Sequence, residues 1–492
     1  MVSDGGMRPL GPRPSAVGAG GANAHAGPDA HGAGPRNVRA DDPAGALALA
    51  EEVLERALRL GASEAEVLVM AGDSALTRFA NSEIHQNVAE RSVTVSLRHV
   101  VGSRIAVVST GKVDSDGLRS LVHRAAAIAR SCEELDDWAG LPKPANGDGS
   151  ITGGAVDAWA VGTAEASPEF RAEGVRAVIS AADAAGVTAF GSFSTDSESI
   201  AIANSNGIRA AERRASSQLL TVHMSPDGGT GYAEAVSRDA RTIDAAAIGR
   251  EAAAKARASD NPVTIEAGDY PVVLEEYAVV DITDMLGYVG FSALAVQEER
   301  SFFEPGRRVG SDLVSMIDDW SDPAGLPCSF DYEGVPKQRV PLLEAGVCQD
   351  VVFDSQTGAR AGRASSGHGL PAPNPWGPFP TNVVMAAGET PRDELIGGLE
   401  RGLLVTRFHY TNVVHPKLAM ITGMTRDGTF LVEGGRIVGP VRNLRFTQSY
   451  LDALAGVSAV GSTRKTLRGF LGAAVVPALR VDGWTFTGIT EH

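Results

Sequence analysis

The sequence predicts an α+β fold in two domains, a mixed α/β domain over residues 42–258 and a β-rich domain over 259–492. Three observations carry this. Apolar residues recur at helical spacing in a few well-separated stretches of the first half. The strands between those stretches alternate and come as hairpins, which sets strands and helices apart in the chain. After residue 258 the helical spacing thins, and short strands and turns take over.

The first helix is expected at Asp42-Pro43. A carboxylate there accepts from the unpaired N–H groups of the first turn, and proline suits a position whose N–H has no partner. Leu47, Ala50, Val53, Leu54, Ala57 and Leu58 line one face, and Gly61 stops the helix. A strand follows at 65–70. Segments 92–100 and 104–109 alternate around Gly102 and read as an antiparallel hairpin, followed by an amphipathic helix over 115–130. Residues 133–167 hold Pro142, Pro144 and isolated Trp138 and Trp159, and read as loop. A third helix covers 168–185. Strand 197–203 enters Asn204-Ser205-Asn206-Gly207, whose Asn-Gly pair favours a hairpin because both residues tolerate positive φ. Strand 218–224, a glycine-rich turn at 228–232 and an alanine-rich helix over 241–258 complete the domain.

In the second domain a short buried strand is expected at 270–274 and a helix at 279–289. Strands and turns fill 314–352. Residues 361–380 end in a run of five prolines between 371 and 380 and exclude regular structure; a loop this long inside a domain is functional or poorly ordered. A strand resumes at 381–386. A helix follows at 391–401, with Thr390 as cap and Pro391 in its first position, and a hairpin turns at Gly434-Gly435.

Composition bounds function. A net charge of −16 with no long basic run excludes a nucleic-acid backbone binder. Three widely spaced cysteines, Cys132, Cys328 and Cys348, form neither a disulfide framework nor a metal knuckle and fit a reducing compartment. Residues 1–41, rich in glycine, alanine and proline, lack the apolar core of a secretory signal and read as a disordered tail. No apolar run is long enough for a membrane span. The expectation is a cytoplasmic protein with no nucleic-acid or membrane partner.

The landmarks follow an order that resembles the TldD/PmbA family, the TldD/TldE peptidases also called modulators of DNA gyrase. The resemblance rests on 78–86 (RFANSEIHQ), the hairpin 93–109, 200–207 (IAIANSNG), 268–274 (GDYPVVL), Thr381-Asn382 before Gly388-Glu389, 394–396, 402–405 and 430–441. It covers the chain from about residue 42 onward. It implies a two-domain TldD/PmbA-like architecture and a zinc peptidase system acting on peptides or unfolded segments. In catalytic members a helix carries His-Glu-x-x-x-His and a late Cys completes the metal site. The His side chains bind zinc, and the Glu activates the metal-bound water.

With 271–274 as anchor, the three motif positions fall at Asp284, Met285 and Val289, and no cysteine lies beyond Cys348. The departure resembles the TldE (PmbA) type. The resemblance then implies a subunit without its own zinc, paired with a TldD-like catalytic chain that holds the metal, or with itself. Two alternatives stay open: an active metallopeptidase with unconventional ligands, and a non-enzymatic peptide-binding or assembly protein.

The other candidate metal ligands are His368, His409, His415, Asp281, Asp284, Glu275 and Glu276. His409 and His415 lie six apart around an expected loop at 410–414, unlike a regular i, i+4 pair. Glu275-Glu276 reads as a helix start, capping or facing solvent, and Asp284 as a salt-bridge residue. His368, in Ser366-Gly367-His368-Gly369, is a candidate for a substrate lid or interface, against an ordinary surface loop. Arg78, Asn81 and Arg98 are candidates for holding a peptide main chain at an exposed sheet edge. No nucleophile elbow and no Walker lysine occur.

Overall fold

The computed structural model describes residues 38–144, 150–152 and 157–490. The expected disordered tail, 1–41, falls almost wholly outside them. The chain is already packed at Val38 and Ala40, and α1 (Pro43–Arg59) begins where expected, with the Asp42 carboxylate accepting from Gly45 N–H at 2.8 Å.

The first half builds a seven-stranded sheet. Its strands are β1 (Glu64–Ala80), β2 (Glu83–Val101), β3 (Arg104–Thr110), β4 (Ser150–Thr152), β5 (Thr188–Asn204), β6 (Arg209–Met224) and β7 (Thr230–Ser237). The order is β3-β2-β1-β5-β6-β4, with β7 also paired to β6. Helices α1 and α2 (Ser115–Ser131) bury Leu49, Val53, Leu118 and Leu121 against β1, β2 and β5. Helices α4 (Pro168–Ala185) and α5 (Ala245–Ala258) cover Phe79, Phe193 and Leu219 further along the same sheet. A short α3 (Val161–Ala164) interrupts the stretch expected to be loop.

The strands run much longer than their alternation predicted: β1 continues ten residues past 70, and β2 begins at 83 instead of 92. The reason is burial. Residues 83–92 are exposed on both faces, so they carry no apolar alternation to read. The hairpin at 204–207 forms by another device than the expected one. Only Gly207 takes positive φ (104°), and the Asn204 side-chain oxygen accepts from Asn206 and Ile208 N–H, each at 3.0 Å.

The second half builds an eleven-stranded sheet. Its strands are β8 (Gly268–Leu274), β9 (Met316–Asp318), β10 (Val340–Glu344), β11 (Val347–Cys348), β12 (Asn382–Met385), β13 (Arg401–His415), β14 (Met420–Glu433), β15 (Arg436–Pro440), β16 (Leu444–Ser449), β17 (Val457–Gly469) and β18 (Gly472–Ile489). Strands β18, β16, β14, β13 and β8 pair in that order, and β8 pairs back to β18, closing a circuit. Helix α6 (Glu276–Val289) follows β8 and packs on β13, β17 and β18. The core here holds Trp484 stacked on Phe408 at 4.8 Å, with Phe446 edge-on at 5.2 Å. Shorter helices α7 (Ala293–Gln297), α8 (Ser355–Arg360), α9 (Arg392–Gly397) and α10 (Tyr450–Ala455) fill the connections.

Three expectations change here. The 391–401 helix shrinks to α9, with Pro391 as cap, and residue 401 already opens β13. The 410–414 loop is strand, absorbed into β13 by register shifts between His409 and Asn412 and between Val413 and His415. The 361–380 segment is irregular as expected and exposed over 361–364, but it is buried over Ser366–Gly369 and Gly377–Pro380. The Gly434-Gly435 turn forms as expected, with φ of 55° and 73°.

Gly231 lets β7 touch the backbone of α5, since a Cβ there would meet Ala252 carbonyl O at 2.2 Å and Ala256 N at 2.4 Å. Gly231→Ala is therefore expected to cost about 1–3 kcal/mol, because neither contact is a flexible side chain. An unchanged urea midpoint would show that α5 shifts freely.

Candidate functional site

Helix α6 is the element on which the motif positions fall. It is buried almost all round, which gives it an apolar sequence with few polar residues. One of them, Asp281, is satisfied internally, accepting from Thr411 Oγ1 and Tyr450 Oη, each at 2.7 Å. The helix stops at Gly290, where a Cβ would lie 2.0 Å from the Phe302 ring.

Asp284 is half-buried and accepts from the Phe470 N–H at 2.8 Å, at the tip of the β17–β18 hairpin. Met285 is partly buried against the core, and Val289 is 1% exposed within it. Positions 284 and 289 keep the five-residue spacing of the motif's two His, so the donors at these positions decide whether a metal fits. One carboxylate, one thioether and one aliphatic chain supply no zinc ligand set, which needs His, Cys and carboxylate donors. The residues present do not fit that ion. Over the same helix, Pro380 Cγ lies 3.0 Å and Phe379 3.5 Å from where a Gly287 Cβ would be. Phe470 stands 6.2 Å from Phe379 and 6.0 Å from Trp376, so an aromatic group covers the helix.

Glu275 and Glu276 neither cap α6 with their side chains nor face solvent, contrary to expectation. Glu275 is 1% exposed; Lys255 Nζ from α5 donates to it at 2.6 Å, and Arg392 pairs with its other oxygen. Beside it Glu251 accepts from Lys255 at 2.8 Å and from Lys465 at 3.1 Å. Burial disfavours a charge there, yet the two lysines outweigh it and hold Glu251 at about 2. Both lysines also lie over the Tyr277 ring, at 4.8 and 4.4 Å. This network ties α5 of the first half to α6 and β17 of the second.

The structure does not gather the histidines. His368 is 2% exposed between Ser366 Oγ (3.0 Å from Nδ1) and Asp318 Oδ1 (3.0 Å from Nε2). Burial and Lys337 lower its pKa against the pull of Asp318. It is a buried side chain, not the flexible surface lid the sequence offered. His409 and His415 sit on β13, half-buried and exposed. Among the described residues no group of three or more His, Cys, Asp or Glu side chains could hold a metal ion.

The three peptide-holding candidates also separate. Arg78 is exposed opposite Gln86, and Asn81 lies in the β1–β2 turn with φ 51°. Arg98 is opposite Glu66, which places it about 40 Å along the hairpin from Arg78 at ordinary strand rise. It is buried, 3.2 Å from Glu66 Oε1 and 3.7 Å from Glu333 Oε1, inside the sheet with β1 and β3 on either side. Burial pushes the Glu66 carboxyl up to about 7, with Arg98 pulling it down and Glu333 pushing it up; its Oε2 has no hydrogen-bond partner.

Sequence reasoning missed the polar cluster behind His368. Lys337 Nζ donates to Thr381 Oγ1 at 2.6 Å and Asn382 Oδ1 at 3.0 Å, and lies 3.5 Å from Asp318. Cys328 Sγ is 3.3 Å from Asn382 Oδ1, and burial raises its thiol pKa. The only signal in the sequence was the Thr381-Asn382 pair.

With this geometry in view, comparison with known proteins identifies the fold and then the family. The structure of TldE from Thermococcus kodakarensis superposes with a TM-score of 0.81 at 18% identity, covering 89% of this chain and 100% of that one. A putative modulator of DNA gyrase from Thermotoga maritima gives 0.78 at 20%, covering 89% and 99%. The descriptions of PmbA/TldA metallopeptidase domain 1, central domain and C-terminal domain match residues 65–129, 162–260 and 267–488. The chain belongs to the PmbA/TldD metallopeptidase family. A metalloprotease TldD homolog of Haemophilus influenzae is 26% identical over 237 residues, 46% of this chain and 48% of that protein. A metalloprotease of Methanothermobacter thermautotrophicus is 28% identical over 256 residues, 50% and 53%. The matched stretch thus spans only about half the length of these curated relatives. Among the described residues no helix is long and apolar enough to cross a membrane.

Two outcomes are expected. Val289→His buries an imidazole without a partner and should cost about 1–3 kcal/mol in urea unfolding, with no zinc gained; tight zinc binding by that variant would contradict the geometry. Glu66 has a folded pKa raised above its unfolded value, so its contribution to stability is lost as pH rises from about 4.5 to 7, up to about 3 kcal/mol. The urea midpoint of the native chain should therefore fall more between pH 5 and 8 than that of Glu66→Gln.

Proposed function

We propose that this chain is a TldE-like subunit of a zinc metallopeptidase, itself without zinc, that works with a TldD-like chain on peptide or unfolded substrates in the cytoplasm. The observation that supports the reading is the donor set on α6. Asp284, Met285 and Val289 stand at the three motif positions, Asp284 is engaged by the Phe470 N–H, and Val289 is in the core. On this reading the scaffold is retained to shape the substrate channel and support the partner, and the metal sits on the partner chain.

The test is elemental analysis and peptide cleavage on the purified chain, alone and mixed with a TldD-like chain from the same cell. The expected result is no zinc and no cleavage alone, with chelator-sensitive cleavage in the mixture above that of the TldD-like chain by itself. Stoichiometric zinc on this chain alone, removed by changing His409 and His415 together, would overturn the proposal.

A further inference from the structure

Residues 329–336 of the second half fold back on themselves, with Phe330 bridged to Pro336, and dock on the first-half sheet. Side chains alternate along β1, so Glu66 and Leu68 point away from α1 and α2, which cover Ala65 and Val67. Beside the apolar contact of Leu68 with Phe330 three carboxyls are buried: Glu66 and Glu333 at 4% exposure and Asp331 at 6%. With Asp354 at the start of α8 they surround a single cation, Arg98 of β2, which both glutamates share. Asp331 is held by backbone: its Oδ1 accepts from Glu333 and Val335 N–H, each at 2.9 Å, and its Oδ2 from Gly369 N–H at 2.7 Å. Among the described residues, Glu66 Oε2, Arg98 Nε and Ser355 Oγ are buried there without a hydrogen-bond partner. On the loop's other flank Arg214 faces Glu212 and Glu198 of the sheet together with Tyr332 and Cys328. Acid is thus in excess on both flanks. At the α5–α6 seam it is not, because Glu251, Glu275 and Glu276 face Lys255, Lys465 and Arg392.

We infer that the 329–336 loop is a proton-held latch between the halves. It stays seated on the sheet while the Arg98 cluster keeps a proton, and it loosens when that proton leaves, with the halves still joined at the α5–α6 seam. One guanidinium cannot balance the carboxylates around it, and burial makes each uncompensated charge costly. The cluster therefore favours a proton that the same side chains would release to water once the loop lifts. Burial is the largest cause raising Glu66, Asp331 and Glu333, and neighbouring carboxylates add to it against the pull of Arg98 on the two glutamates; Glu66 reaches about 7. A folded pKa above the unfolded one gives a contribution that is full below about 4.5 and lost as pH rises through 7. The latch therefore loosens on the alkaline side. Burial also raises Tyr332, to about 12, and the Cys328 thiol, so neither titrates in that window. The balanced seam has no such proton to lose, since its cations hold Glu251 at about 2.

The inference rests on the loop and the sheet alone and stands whichever way the zinc analysis comes out. Its test is hydrogen exchange of the full chain, read by mass spectrometry and corrected for the intrinsic rate at each pH. The amides to follow are those the loop ties down: Asp331 N–H donates to Val335 O and Lys337 N–H to Ser329 O, each at 3.0 Å, and Tyr332 N–H to Gly369 O at 3.2 Å. From pH 6 to 8.5 their protection should fall about tenfold, the change expected of a carboxyl at about 7 when seated and about 4.5 when freed. Amides of α6 should keep their protection over the same range. Glu66→Gln and Glu333→Gln each leave Arg98 with one glutamate, so in both the fall should shrink to about threefold or less. A side chain that only packs would lower protection by one factor at every pH and leave the slope as it is, so a destabilised variant still reads out. Loop protection that is flat with pH in the native chain overturns the inference. So does a slope as steep in both variants as in the native chain, or α6 losing protection together with the loop.

Discussion

The enclosure of α6 is the constraint on which the second half depends. Strand β8 feeds straight into it, and β8 is also the strand that closes the circuit between β13 and β18. The helix therefore cannot shift without disturbing the pairing of its own lead-in strand. Its tight stop at Gly290 against Phe302 and the internal partners of Asp281 fix rotation and translation together. The side chains at 284, 285 and 289 are held in their present directions by this packing, and the aromatic cover of Phe379, Trp376 and Phe470 is laid over a rigid surface.

The two halves are joined by an apolar cluster, in which Phe330 packs with Leu68, Ile200, Ile202 and Ile208, and by buried charge. Glu251 and Lys255 from the first half meet Glu275, Tyr277 and Lys465 from the second. Arg98 meets Glu333, and Arg214 donates to the Phe330 carbonyl at 3.1 Å while its partner Glu212 accepts from Ser329 N–H at 3.0 Å. Buried ion pairs add little net stability over apolar contacts, but removing one partner leaves the other charge stranded. Such contacts fix register more than they add strength. The halves consequently have one favourable relative placement, which keeps α5 seated against the start of α6.

Much of the architecture was legible, because it rests on local chemistry. The Asp42 cap, the amphipathic helices α1, α2 and α4, and the Gly434-Gly435 turn announce themselves through side chains whose roles are settled within a few residues. Strand lengths were not legible where a strand is exposed on both faces, as over 83–92, or where a register shift lets a turn-like stretch stay paired, as over 409–415. At the candidate site, the residues at Asp284, Met285 and Val289 could be read directly, but the burial of Val289 and the Phe470 N–H on Asp284 needed the fold. Arg98 and Glu275 misled for one reason. A charged residue in sequence looks like surface, and only the fold shows that a partner distant in the chain has drawn it inside.

The closed circuit of the second half also sets a timetable. Strand β8 is complete at Leu274, yet one of its two neighbours, β18, begins at Gly472. On a ribosome adding residues at ordinary speed, β8 and α6 emerge on the order of ten to forty seconds before the strand that seals them in. During that interval the apolar surface of α6 has no finished enclosure, while the first-half sheet, whose long hairpins pair strands close in sequence, is free to form. The first-half hairpins thus have their partners in hand early, whereas the circuit around α6 can close only once β18 has been made.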